Sequence, residues 1–185
     1  GKMAGSFGDV GCFSFYPAKI LGAYGDAGAL VTNNQGIYEW VKGARNHFKE
    51  DARDWGINSR CDNVQAAILN VKFKYLPEIL KIRQNIAEKY QKELEEMELK
   101  LPLHIKSRVW QDYIIQTSGK EERNKLFEFL KEKGIETMKN NYPFPVPKMV
   151  LAQKYEDSTL RLPISEVLTN DEIQYVIDKI KEFFK

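Results

Sequence analysis

Lys19 sits among aromatic, aliphatic and small residues, and the nearest carboxylates in sequence are Asp9 and Asp26. An amine in apolar surroundings is disfavoured in its charged form, and buried lysines can titrate near ~5–6, which leaves a nucleophile for carbonyl groups at neutral pH. Ser14, just upstream, offers a hydroxyl, and the glycines that follow Lys19 allow a backbone to approach a ligand closely, as a phosphate requires. An amine, a hydroxyl and a glycine loop suggest pyridoxal phosphate, held through its aldehyde by the lysine and anchored by its phosphate. On composition alone a competing structural reading stands beside it: a strand-end lysine that snorkels to water.

These residues need a frame. The spacing predicts two short strands, Gly11 to Tyr16 and Ala29 to Thr32, with Pro17, Gly22, Gly25 and Gly28 breaking what lies between. Ile37, Trp40, Val41 and Ala44 recur at helical period, and His47 to Arg60 reads as a long loop. Asp62 and Gln65 have capping-box spacing ahead of an apolar face made by Val64, Ala67, Ile68 and Val71. Pro77 suits a first helical turn, and Ile79, Ile82, Ile86, Tyr90, Leu94 and Met97 form the stripe of a long amphipathic helix that could bridge two domains.

Beyond Pro102 the pattern predicts a strand at Asp112 to Thr117, a helix from Glu121 to Lys133 stopped by Gly134, and an extended segment from Ile135 to Met138. Tyr142 to Pro147 holds three prolines, which makes it a non-helical loop. The last helix starts on a Thr169/Glu172 capping box and carries Ile173, Val176, Ile177, Ile180 and Phe184 on one stripe. Residues 1–77 thus read as one domain portion, 78–100 as a linking helix and 101–185 as a small α+β domain.

Composition excludes several classes. The 185 residues are 43% hydrophobic and 29% charged, and 28 basic against 26 acidic side chains leave a net charge of +2. That balance gives no drive toward nucleic acid or an anionic membrane and is unlike a disordered chain. Cys12 and Cys61 cannot build a disulfide framework and belong to no zinc-ligand spacing. No apolar run approaches the ~20 residues a membrane span needs, and the start has no signal-peptide core. A cytoplasmic, reducing location is expected.

The run from Gly8 through Ser14-Phe15-Tyr16-Pro17-Ala18-Lys19 to Gly25-Asp26-Ala27-Gly28-Ala29 closely resembles the cofactor-lysine region of the DegT/StrS family of sugar-nucleotide aminotransferases. Arg45-Asn46-His47, Gly56-Ile57-Asn58-Ser59-Arg60, Gln65-Ala66-Ala67-Ile68, Tyr142-Pro143 and Leu162-Pro163 follow in the family's order, so the resemblance covers essentially the whole chain. It implies an α/β protein, part of a fold-type I pyridoxal-phosphate-dependent transferase: the end of the large domain plus the small α+β C-terminal domain. It also implies transfer of an amino group from an amino acid, usually glutamate, to a nucleotide-linked keto sugar. Lys19 would be the Schiff-base lysine and proton carrier. Ser14 matches the phosphate-binding serine, and Asn58 the asparagine that reaches the phosphate of the neighbouring subunit's cofactor, which calls for a homodimer with shared sites. Arg60 is a candidate contact to phosphate or substrate, and Tyr142 for lining the sugar pocket.

Other conspicuous residues take structural readings: Asp26 as turn chemistry, His47 as a hydrogen-bonding residue at a helix end, and Trp40, Trp55 and Trp110 as core or interface. The sequence departs from the family at three places: Ser59 stands where an aromatic is frequent, Phe48 where a glycine commonly follows the histidine, and Pro147-Lys148-Met149 where a histidine is frequent. The family's aspartate for the pyridine nitrogen, its ring-stacking aromatic and its phosphate loop have no counterpart among these residues. The expectation is therefore a C-terminal half, inactive by itself. The motif form resembles members acting at C3 of the sugar more than at C4. The alternative is a non-catalytic or regulatory protein on the same fold; relatives that deoxygenate sugars replace the lysine with histidine, which Lys19 argues against.

Overall fold

The computed structural model describes residues 1–50, 52, 54–105, 107–139 and 149–185. They form two compact units, Gly1–Pro77 and Glu78–Lys185. Among the described residues no helix is long and apolar enough to cross a membrane, and no group of His, Cys, Asp or Glu is placed to hold a metal ion.

In the first unit β1 (Gly11–Ser14) pairs antiparallel with β2 (Gly28–Val31), Gly11 opposite Val31 and Ser14 opposite Gly28. The helix α1 (Gln35–Ala44) is capped by Asn34, whose Oδ1 accepts from the Ile37 N–H at 3.1 Å. The helix α2 (Asn63–Phe73) begins after Asp62, but no side chain caps it, and it buries no residue. The expected capping box is absent because Gln65 bonds elsewhere, and two members of the expected core face, Val64 and Val71, are exposed. Among the described residues of this unit only Ala23, Ala44 and Phe48 are buried apolar residues.

The second unit holds the core. The helix α3 (Leu76–Leu94) starts in the first unit, with Pro77 in its opening turn, and from Ile86 onward it buries Ala87, Tyr90 and Leu94. The strands β3 (Tyr113–Gln116), β4 (Met138–Lys139) and β5 (Thr159–Leu162) make an antiparallel sheet in the order β3-β5-β4. The helices α4 (Lys120–Glu132) and α6 (Asn170–Phe183) contribute Leu126 and Leu130, and Ile173, Val176, Ile177 and Ile180, to one cluster with Trp110, Tyr113, Ile115, Leu160 and Leu162. The α6 capping box forms as expected, with Thr169 Oγ1 accepting from the Glu172 N–H and Glu172 Oε2 from the Thr169 N–H. Gly134, at φ 75°, ends α4 in a conformation that a side chain would strain.

Two elements have no counterpart in the sequence-based expectation: the helix α5 (Val150–Ser158) and the central strand β5. The apolar residues of α5, Val150, Leu151 and Tyr155, are exposed, so no buried stripe marks it. Strand β5 is short and carries Arg161, whose guanidinium pairs with Asp112 at 3.5 Å. Pairing on both edges holds it in the sheet. The expected extended segment at Ile135 to Met138 is assigned as strand only from Met138.

Candidate cofactor site

The site is built on β1 and the loop that leaves it. The Phe15 N–H donates to Ala27 O and the Ala23 N–H to Phe15 O, both at 2.8 Å, so the β1–β2 ribbon continues one step past Ser14. A turn follows, with the Lys19 N–H donating to Tyr16 O at 2.8 Å and the Tyr16 N–H to Ser14 Oγ at 3.3 Å. Gly22 closes it: an added Cβ would run into Pro17 O and lie 2.9 Å from Lys19 O, so only glycine lets the chain fold back here.

Lys19 and Ser14 are both exposed. The apolar enclosure suggested for Lys19 is not supplied by the described residues, because its aromatic neighbours Phe13, Tyr16 and Tyr24 are exposed too. A two-stranded ribbon has no second layer of its own to cover them. The donor set nonetheless suits pyridoxal phosphate. It offers an accessible primary amine without a carboxylate partner among the described residues, and a hydroxyl on the same strand–loop unit.

A second group lies on the 45–60 loop. The Ile57 N–H donates to Ala44 O at 2.8 Å, the Ser59 N–H to Arg45 O at 3.0 Å, and Asn46 and Asn58 form an antiparallel bridge. The loop is thereby stitched back onto the end of α1. Arg60 Nε donates to Asn58 Oδ1 at 3.1 Å, which orients the amide and leaves its N–H groups for another acceptor. Asn58 and Arg60 are exposed, and no hydrogen bond or ion pair joins them to Lys19 or Ser14 among the described residues. Tyr142 lies outside the described residues.

The departure at Phe48 has a structural account. Phe48 adopts φ 48° directly after His47 at φ 62°, the left-handed region where glycine is at ease. Its ring is 1% exposed and meets Trp40 edge-on at 5.9 Å, so burial offsets the backbone strain. His47 contributes through its main chain, its N–H shared between Ala44 O and Ile57 O. Of the tryptophans, Trp110 is core, whereas Trp55 is 95% exposed. Two side chains of α2 hold the loop after Lys19: Gln65, expected from its spacing to cap the helix, accepts at Oε1 from the Tyr24 N–H at 2.8 Å, and Lys72, which the sequence did not single out, donates from Nζ to Gly22 O at 2.6 Å.

Comparison with known proteins identifies the class. The DegT/DnrJ/EryC1/StrS aminotransferase family model matches residues 1–181, and the chain belongs to that family. It is 35% identical over 206 residues, all of its length and 54% of the relative's, to the "Pleiotropic regulatory protein" of Geobacillus stearothermophilus. It is 33% identical over 199 residues, 99% of its length and 54% of the relative's, to the dTDP-3-amino-3,6-dideoxy-alpha-D-galactopyranose transaminase of Aneurinibacillus thermoaerophilus. Among solved structures, NtdA of Bacillus subtilis with bound cofactor PMP superposes with a TM-score of 0.88 at 26% identity, over 97% of this chain and 47% of that one. The chain spans about half the length of the curated relatives it matches. The fold is that of a partial fold-type I, pyridoxal-phosphate-dependent transferase of mixed α/β class.

Proposed function

We propose that these residues form part of a cytoplasmic aminotransferase that moves an amino group from an amino acid, glutamate, to a nucleotide-linked keto sugar. The observation that carries the reading is the accessible Lys19, without a carboxylate partner among the described residues, on the same strand–loop unit as Ser14, in a chain of this family. Bound pyridoxal phosphate supplies an aldehyde to carry the amino group and an electron-withdrawing ring that eases proton removal from the adjacent carbon. Lys19 would hold the aldehyde carbon through its ε-nitrogen, and as a free amine its Nζ would accept and return the proton that the reaction moves. Ser14 donates its hydroxyl hydrogen to the phosphate. The Asn58 amide, oriented by Arg60, donates to the phosphate bound by a second subunit, so the working unit is a homodimer with shared sites. Arg60 and Tyr142 contact the sugar nucleotide. The name of the Aneurinibacillus relative and the form of the Ser14–Lys19 motif together favour a keto group at C3.

None of these residues is assigned to hold the pyridine nitrogen, so turnover is expected of the native product that carries them with such a group. That product, mixed with pyridoxal phosphate, should give a borohydride-stable pyridoxyl label on Lys19. Glutamate should bleach the cofactor's visible band. Lys19→Ala should lower turnover at least about a hundredfold; unchanged turnover overturns the reading.

A second reading is favoured by the name of the Geobacillus relative: a regulatory protein on the same fold. It predicts no amino transfer to any nucleotide-linked keto sugar, with or without cofactor bound.

A further inference from the structure

We propose that Gln65 and Lys72 are positioning residues that fix the main chain around Lys19 from α2; the inference rests on reading Lys19 as the cofactor lysine. The helix α2 buries no residue, yet two of its side chains, placed on one helical face, reach the same short stretch of loop. Gln65 Oε1 accepts from the Tyr24 N–H at 2.8 Å, and Lys72 Nζ donates to Gly22 O at 2.6 Å. The Lys72 ammonium also lies 5.2 Å from the centre of the Tyr24 ring. Gly25 lets the Gln65 amide lie against the backbone, since an added Cβ would sit 2.9 Å from Nε2.

The two anchors bracket Ala23, whose own N–H donates to Phe15 O at the end of the ribbon. Gly22, held by Lys72, packs against the backbone of Pro17 and Lys19. A continuous path therefore runs from α2 through Gly22 and Ala23 to the Lys19 main chain and to β1. Lysine bears its amine on a flexible four-carbon stem, so a fixed Cα is what limits the volume the nitrogen must search. Gln65 stands at capping-box spacing from Asp62 but makes no cap, its acceptor being committed to Tyr24.

The test uses the native product that carries these residues and reads two quantities. Amide exchange at Tyr24 reports the pin itself: it should speed up in Gln65→Met and stay protected in Gln65→Glu, which keeps an acceptor. The rate at which pyridoxal phosphate labels Lys19, read by mass after borohydride, reports positioning. Gln65→Met and Lys72→Met should slow labelling about tenfold to a hundredfold, with Gln65→Glu and Lys72→Arg restoring it. Because α2 buries no residue, these replacements open no cavity. Tyr24→Pro removes the N–H from the loop side, together with the ring beside Lys72, and should slow labelling by a similar factor, whereas Tyr24→Ala, which loses the ring but keeps the N–H, should slow it less. Labelling that is normal in the unsubstituted protein and equally fast in all variants overturns the positioning role and leaves the Lys19 reading standing. An absence of label at Lys19 in the unsubstituted protein overturns both, while Tyr24 exchange still shows whether the pin exists.

Discussion

The two units spend similar apolar sequence in opposite ways. In the second, the stripes of α3, α4 and α6 converge with β3 and β5 on one cluster, and Leu94, Leu126, Ile177 and Ile180 are inaccessible to solvent. In the first, Phe7, Phe73, Val64 and Trp55 stay exposed and the buried apolar set is confined to Ala23, Ala44 and Phe48. Polar groups follow the same division. The second unit buries two arginines against polar partners: Arg83 donates to Glu166 and to the carbonyls of Trp110 and Ile164, and Arg123 to Asn124 Oδ1 and to the carbonyl of Glu156 near the end of α5. The first unit carries the site-bearing side chains on its surface. A self-contained core holds one region, whereas short hydrogen-bonded loops stitched to a ribbon and two helices hold the other.

That contrast can be broken by mutation. Ile177→Ala should cost about 2–5 kcal/mol in a denaturant titration, whereas Phe73→Ser, at a position 62% exposed, should stay within about 0.5 kcal/mol. Comparable costs would mean that the first unit is as fully packed as the second. Arg83→Met should be the next largest, at about 1–3 kcal/mol, because it leaves the carbonyls of Trp110 and Ile164 without their donor. Gly134→Ala meets no neighbouring atom, so its cost of about 1–2 kcal/mol is left-handed backbone strain alone, read as a drop in Tm.

Thr169→Ala should cost about 1 kcal/mol through loss of the α6 cap. It also sharpens the electrostatics. The Glu172 carboxyl is held below its ordinary value by the Thr169 backbone N–H first and the Thr169 hydroxyl second. A depressed carboxylate contributes stability above its unfolded value that disappears as pH falls through the folded one. Thr169→Ala keeps the N–H, so the acid-side slope of stability against pH should shrink without vanishing.

Legibility in the sequence follows the range of the interaction. The Thr169/Glu172 box was readable because both partners lie within one turn. The same spacing at Asp62/Gln65 misled, since a loop amide far along the chain, that of Tyr24, takes the Gln65 acceptor. Trp110 and Trp55 are the same residue type, yet one is core and the other bare. Strand β5 was invisible: its four residues carry a charge and owe their conformation to strands on both edges. The candidate site was legible as a motif, in Ser14, Lys19 and the glycines, but the exposure of Lys19 ran against the apolar setting its neighbours implied.

Helix periods, the Thr169 cap, the Gly134 stop and the motif that places the chain in its family were all set by residues a few positions apart, where local sterics and hydrogen bonds act without help. Which apolar faces became core, which strand stands in the middle of the sheet and which residues pin the loop after Lys19 depended on contacts between segments distant in the chain. Burial and long-range hydrogen bonds depend on what lies opposite, and only the folded chain puts it there.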